Sequence, residues 1–158
     1  MPQSGFKEVL AQSGLLPQEA ILWTKKNAKS LFIGLPKEVS MQERRISLTP
    51  DAVSLLVRNG HEVMVESGAG EGAKFTDRQY SEAGASIAYS PEEVYKADLI
   101  LKVSPLTERE FEYVKQGATL ISALNMPSLS KEYLKSLTER RLLLYALNIS
   151  KIKEAAFR

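Results

Sequence analysis

The chain has 158 residues, 44% of them hydrophobic, and 21 Lys and Arg set against 19 Asp and Glu for a formal net charge of +2. That length is enough for one domain with a real core, and so near a charge balance gives no general reason to expect nucleic acid or an anionic membrane as partner. There is no cysteine and one histidine, His61. Disulfides, thiol chemistry and cysteine- or histidine-clustered metals are therefore excluded, and no apolar run approaches the ~20 residues of a membrane span.

Residues 1–30 read as a helical appendage. Ser4 can cap a short helix with Phe6, Val9 and Leu10 on one side, ended near Gly14. Pro17 can start a second, with Ile21 and Leu22 inward and Lys25, Lys26 and Lys29 near its end, where cations suit the helix dipole. The hairpin carries the only tryptophan, Trp23, and is expected to pack on the domain or on a second subunit. Glu8, Gln12 and Glu19 interrupt its apolar residues, so it does not read as a secretory signal. The expected compartment is the cytoplasm, and a homo-oligomer is the expected assembly.

Residues 31–150 read as one α/β domain. Leu31–Leu35 is a short apolar run of the kind a buried parallel strand shows. A polar crossing with Lys37, Glu38, Glu43, Arg44 and Arg45 leads to Thr49-Pro50-Asp51, which has the hydroxyl cap, first-turn proline and acid of a helix start. That helix runs to Asn59 and stops at Gly60. Strand His61–Glu66, glycine loop Gly68–Ala73 and a short helix from Thr76 or Asp77 to Gly84 follow. Ser86–Tyr89 is a weaker strand. Ser90 with Glu93 and Thr107 with Glu110 both have capping-box spacing. Asp98–Val103 and Ala118–Leu124 are strands on either side of the second of these helices, which is expected to stop at Gly117. Ser130 caps a helix to about Arg141, Leu142–Ala146 is the last strand, and residues 151–158 read as the start of a helix that is cut short. Some six strands separated by helices predict a doubly wound, mainly parallel sheet with helices on both faces, flavodoxin-like or Rossmann-like.

Three places could carry chemistry. Gly68-Ala-Gly-Glu-Gly-Ala73 follows a strand as a dinucleotide loop would, but Lys74-Phe75 separate it from the next helix, Thr76 and Asp77 cap that helix, and Glu71 would oppose a phosphate. A turn needing glycine geometry accounts for it better, and no cofactor-binding residue is assigned. Lys102 interrupts a strand that should be buried on both faces, so its ammonium should lie at the strand's carboxyl end near an anion, or snorkel to solvent. Arg45 offers a guanidinium fork suited to a small carboxylate, or a solvated charge paired with Glu43. The ends of the first, fourth and fifth strands open on one rim, so Arg45, Lys102 and Asn125 could share a pocket, with Pro36 and Pro127 stiffening its walls. Two cations and an amide suit a 2-oxo acid, one group holding the carboxylate and one polarising the ketone. On this reading Lys102→Met abolishes anion binding and leaves the fold intact.

Ile33-Gly-Leu-Pro-Lys-Glu38, Glu43-Arg-Arg-Ile-Ser-Leu-Thr-Pro50, Gly60-His-Glu-Val, Glu66-Ser-Gly-Ala-Gly-Glu-Gly72 and Ala97-Asp-Leu-Ile-Leu-Lys-Val103 together resemble the N-terminal domain of alanine dehydrogenase and of the nicotinamide nucleotide transhydrogenase α subunit. The resemblance runs from about Leu31 to Ser150. It implies the substrate domain of an NAD-dependent oxidoreductase, with Arg45 matching the arginine that holds the pyruvate carboxylate and Lys102 the lysine that contacts the substrate's oxygens. Asn125 stands where the dehydrogenases carry a catalytic histidine, and asparagine cannot shuttle a proton at neutral pH. The resemblance further implies a 2-oxo acid or amino acid as ligand. NAD(H) or NADP(H) would be bound mainly by a nucleotide-binding domain absent here, in the same or a separate chain. A non-catalytic small-acid-binding or assembly module of the same descent is the other reading. Either way the chain alone is expected to transfer no hydride.

Overall fold

The computed structural model describes residues 29–40, 43–123 and 129–146. The N-terminal hairpin, Asn125, Pro127 and the segment after residue 146 lie outside the described residues.

Six strands form one sheet: β1 Phe32–Leu35, β2 Glu62–Glu66, β3 Ser86–Ala88, β4 Leu99–Lys102, β5 Thr119–Ser122 and β6 Leu143–Ala146. Their order is β3-β2-β1-β4-β5-β6, and each neighbouring pair runs parallel. This is the Rossmann order rather than the flavodoxin one, and the winding reverses between β1 and β4. Connecting helices are α1 Pro50–Arg58, α2 Asp77–Glu82, α3 Pro91–Val94, α4 Glu108–Tyr113 and α5 Lys131–Glu139.

Alternation along the strands builds two cores. Ile33, Leu35, Val63, Val65, Leu99 and Leu101 face the layer that contains Val53 of α1 and Tyr80 of α2. Phe32, Ile100 and Leu120 face the layer of Tyr95, Phe111 and Leu137. Position 34 falls on the second face by the same alternation and is glycine because α3 comes against it: a Cβ there would stand 2.5 Å from the Val94 carbonyl oxygen.

The helix starts follow their sequence signals with one exception. Thr49 caps α1, and Thr76 and Thr107 close capping boxes with Gln79 and Glu110. Ser90 makes no side-chain cap on α3, because its hydroxyl donates to Glu92 instead. Helix α4 ends at Tyr113, four residues short of the expected stop at Gly117. Val114 turns extended there and buries its side chain, and the Lys115 amide bonds the Tyr95 carbonyl. Gly60 and Gly84 take positive φ, 87° and 96°, just past the ends of α1 and α2.

Candidate functional site

The winding reversal places the carboxyl ends of β1 and β4 side by side, which is where an open parallel sheet leaves a crevice. Pro36-Lys37-Glu38 leave β1 on this rim, and Lys102 is the last residue of β4. Alternation from Ile100 turns Lys102 to the α3–α4 face. The β1–α1 crossing is tied to the same place, because the Ser47 hydroxyl donates to the Leu101 carbonyl at 2.8 Å.

Lys102 does not snorkel. Its side chain is 0% exposed and lies between two buried carboxylates: Nζ is 2.9 Å from Glu38 Oε2 and 3.2 Å from Glu110 Oε1. The Glu38 carboxylate also accepts from the backbone amides of Val103 at 2.6 Å and Ser104 at 3.2 Å. Glu110 accepts from the Tyr95 hydroxyl and the Thr107 amide, both at 2.6 Å. No buried side-chain nitrogen or oxygen of the group is thus left without a partner, as a buried charged cluster requires. Burial and the bond to Glu110 push the Tyr95 hydroxyl well above the ordinary phenol range. With two carboxylates to one ammonium, the formal charge of the cluster is negative.

Arg45 takes a different environment. Its side chain is 64% exposed and forms a two-pronged pair with Glu43, Nε to Oε1 at 2.8 Å and Nη2 to Oε2 at 2.6 Å. That bond, with help from the backbone amides of Arg45 and Arg44, lowers the Glu43 carboxyl to about 2. The Arg45 guanidinium is stabilised in return, first by the hydrogen bond to Glu43, then by its charge, with Glu38 adding to the field. Arg45, Glu43, Glu38 and Lys37 line one cleft of about 140 Å³ beside the glycine loop. Lys102 meets this cleft through Glu38. Lys37 also lines a larger cavity of about 560 Å³, together with Glu66, Tyr95, Arg109, Glu110 and Tyr113 among others. Glu66 is raised by burial, although its Oε2 accepts from the Lys37 amide at 2.8 Å.

The glycine loop is packed on the chain's own atoms. A Cβ at Gly72 would come 2.8 Å from the Arg44 carbonyl oxygen, and one at Gly70 would come 2.7 Å from the Tyr80 ring. Asp77 accepts from the Gly68 amide at 2.8 Å and from the Ser67 hydroxyl at 2.7 Å. The loop closes as a short 3-10 turn, Glu71–Ala73, and the next α-helix is already capped by Thr76. A pyrophosphate needs free amides at a helix start, so the residues here do not fit one. His61 lies at the far rim, its Nδ1 accepting from the Leu31 amide at 3.3 Å.

Three members of the cluster escape a reading of the sequence. Glu38 looks like any loop acid, although its place directly after the Pro36 that ends β1 at the reversal could have marked it. Glu110 reads as half of a capping box and is one, but its second oxygen serves Tyr95 and Lys102 as well. Tyr95 gives no local signal at all.

Comparison with known proteins agrees with the fold. The family described as "Alanine dehydrogenase/PNT, N-terminal domain" matches residues 34–156. Alanine dehydrogenase of Staphylococcus saprophyticus is 44% identical over 101 residues, covering 64% of this chain and 27% of that protein. Alanine dehydrogenase of Bacillus subtilis is 41% identical over 96 residues, covering 61% of this chain and 25% of that protein. The chain therefore spans about a quarter of the length of the curated relatives it matches. Among solved structures, an L-alanine dehydrogenase superposes with a TM-score of 0.69 at 30% identity, covering 73% of this chain and 32% of that one. A transhydrogenase from Sinorhizobium meliloti superposes with a TM-score of 0.68 at 29% identity, covering 73% of this chain and 34% of that one. With the match reaching from β1 past β6 and so including the switch-point cluster, the chain belongs to the alanine dehydrogenase/PNT N-terminal domain family.

Proposed function

We propose that this chain is the substrate-side domain of an NAD-dependent oxidoreductase of the alanine dehydrogenase or transhydrogenase type, acting in the cytoplasm as part of a homo-oligomer. The observation that carries the reading is the placement of Arg45 and Lys102 at the carboxyl rim of a switch point, joined through Glu38. Arg45, exposed and already bound to a carboxylate, has the geometry to exchange Glu43 for the carboxylate of a 2-oxo acid or amino acid. Lys102, which lies between two acids, is the second cation for the substrate's oxygens. Asn125 occupies the position of the family's catalytic histidine and can orient the substrate but not pass it a proton. The nicotinamide cofactor, which supplies or accepts the hydride, belongs to a nucleotide-binding domain in the same or a separate chain. L-alanine/pyruvate interconversion and hydride transfer between NAD and NADP are the two reactions consistent with it. The second reading, a non-catalytic small-acid-binding or assembly module, draws support from the same asparagine and from both cations being held by the chain's own carboxylates.

Titration of the isotope-labelled chain with pyruvate and with L-alanine tests the proposal. Pyruvate should shift the Arg45 and Val103 amides, and Arg45→Ala should weaken its binding about tenfold, the loss of one charge-assisted bond at roughly 1.5 kcal/mol. Pyruvate that binds Arg45→Ala as well as the wild type removes the proposed site. Addition of a related nucleotide-binding domain with NADH and ammonium then separates the readings, since turnover marks the enzyme and binding without turnover marks the module.

A further inference from the structure

Glu38 does more than neutralise Lys102. Its carboxylate is gripped along its whole edge: Oε1 accepts from the Val103 amide at 2.6 Å, and Oε2 from Lys102 Nζ at 2.9 Å and the Ser104 amide at 3.2 Å. Two successive backbone amides converging on one anion beside an ammonium make an anion-binding concavity. The concavity is rigid. Glu110 holds the ammonium from its other side, and the buried Ser122 hydroxyl of β5 lies 3.0 Å from both the Val103 and the Ser104 carbonyl oxygens. The Val103 carbonyl, which also accepts from the Ala123 amide at 3.2 Å, shares a peptide plane with the Ser104 amide, so these contacts hold that amide toward Glu38. The occupant, by contrast, sits on a loop whose next residues, Val39 and Ser40, are exposed. Receptor and occupant thus differ in kind, one pinned by the sheet and the other carried by a surface segment.

We infer that Lys102 Nζ and the Val103 and Ser104 amides form a carboxylate site for which Glu38 is a built-in competitor, so that a small free carboxylate reaches Lys102 only by displacing it. The inference rests on the functional reading above for its ligand class and adds how access to that site is controlled. A tethered carboxylate competes at a high effective concentration, so the resting site is closed to weakly binding anions and opens to a ligand that gains a second contact, such as one to Arg45.

The test uses formate, a carboxylate with no other contacts to make, and sodium chloride at equal ionic strength as the control. Binding is read from the Val103 and Ser104 amide resonances of the wild type, Glu38→Gln and Glu38→Ala. Formate should bind Glu38→Ala at least about tenfold more tightly than the wild type, with Glu38→Gln in between. Glu38→Ala should also melt lower in chloride and recover in formate, because formate returns partners to the two amides. The inference fails if neither variant's amides respond beyond chloride, or if the wild type responds at the same concentration as the variants. Should Glu38→Ala not fold, Glu38→Gln, which keeps the side chain's volume, carries the same two outcomes. The pyruvate titration is separate. A formate response without Arg45-dependent pyruvate binding sinks the functional reading alone, and the reverse pattern sinks this inference alone.

Discussion

Replacing Lys102 by methionine preserves length and removes charge, and the structure makes it a stability experiment before it is a binding one. The sequence alone suggested that the fold would survive intact. The ammonium instead lies 2.9 Å and 3.2 Å from two carboxylates whose side chains are 6% and 8% exposed. Removing one partner of a buried ion pair leaves uncompensated charge and costs roughly 3–5 kcal/mol. Four donors remain on the two acids after the substitution, the amides of Val103, Ser104 and Thr107 and the Tyr95 hydroxyl. They place the expected loss at the lower end, about 3 kcal/mol, and the melting temperature should fall by about 10 °C for a chain of this size. Urea unfolding followed by circular dichroism measures the loss. Glu38→Gln added to Lys102→Met should recover part of it, since it removes one of the two stranded charges. A loss below about 0.5 kcal/mol, or a double variant no more stable than Lys102→Met, would refute the account of the cluster. Loss of anion binding in Lys102→Met is then interpretable only beside its unfolding curve.

Close packing at Gly34 and the Glu43–Arg45 pair give two further expected outcomes. Gly34→Ala should destabilise by roughly 1–3 kcal/mol, the cost of overpacking, because the new methyl meets the Val94 carbonyl oxygen at 2.5 Å and the Ala97 methyl at 3.0 Å; an unchanged urea midpoint would show that α3 can shift away from β1. The Glu43 carboxyl is lowered from 4.5 to about 2 chiefly by the Arg45 hydrogen bond, and a depressed acid contributes stability that is complete above its unfolded value and lost as pH falls through the folded one. The difference in stability between the wild type and Glu43→Gln should therefore be constant above about pH 5 and shrink between pH 4.5 and about 2; a difference that grows on acidification would contradict the pairing.

Local signals in the sequence determined most of the secondary structure. Hydroxyl and acidic residues at fixed spacing set where α1, α2, α4 and α5 begin, and glycine at positive φ set where α1 and α2 end, because a helix terminus is satisfied by residues within a few positions of it. Apolar runs separated by helices were enough for a parallel sheet, and Lys102 inside one of them was enough to expect a nearby anion. Strand order was not legible, since pairing β1 with β4 rather than β3 depends on which helix covers which face. Nor was the identity of the anion. Glu38 and Glu110 are 64 and 8 positions from Lys102 and look like a loop acid and a helix cap; only the winding reversal brings both carboxylates to one ammonium. Arg45 shows the opposite case. Its partner Glu43 is two residues away, so the pair could be read from the chain, whereas its standing in one cleft with Glu38 required the fold. The sequence determines contacts made within a turn or a cap, and the tertiary structure decides which distant charges must share a buried volume, because the cost of burying them falls due only when the sheet closes over them.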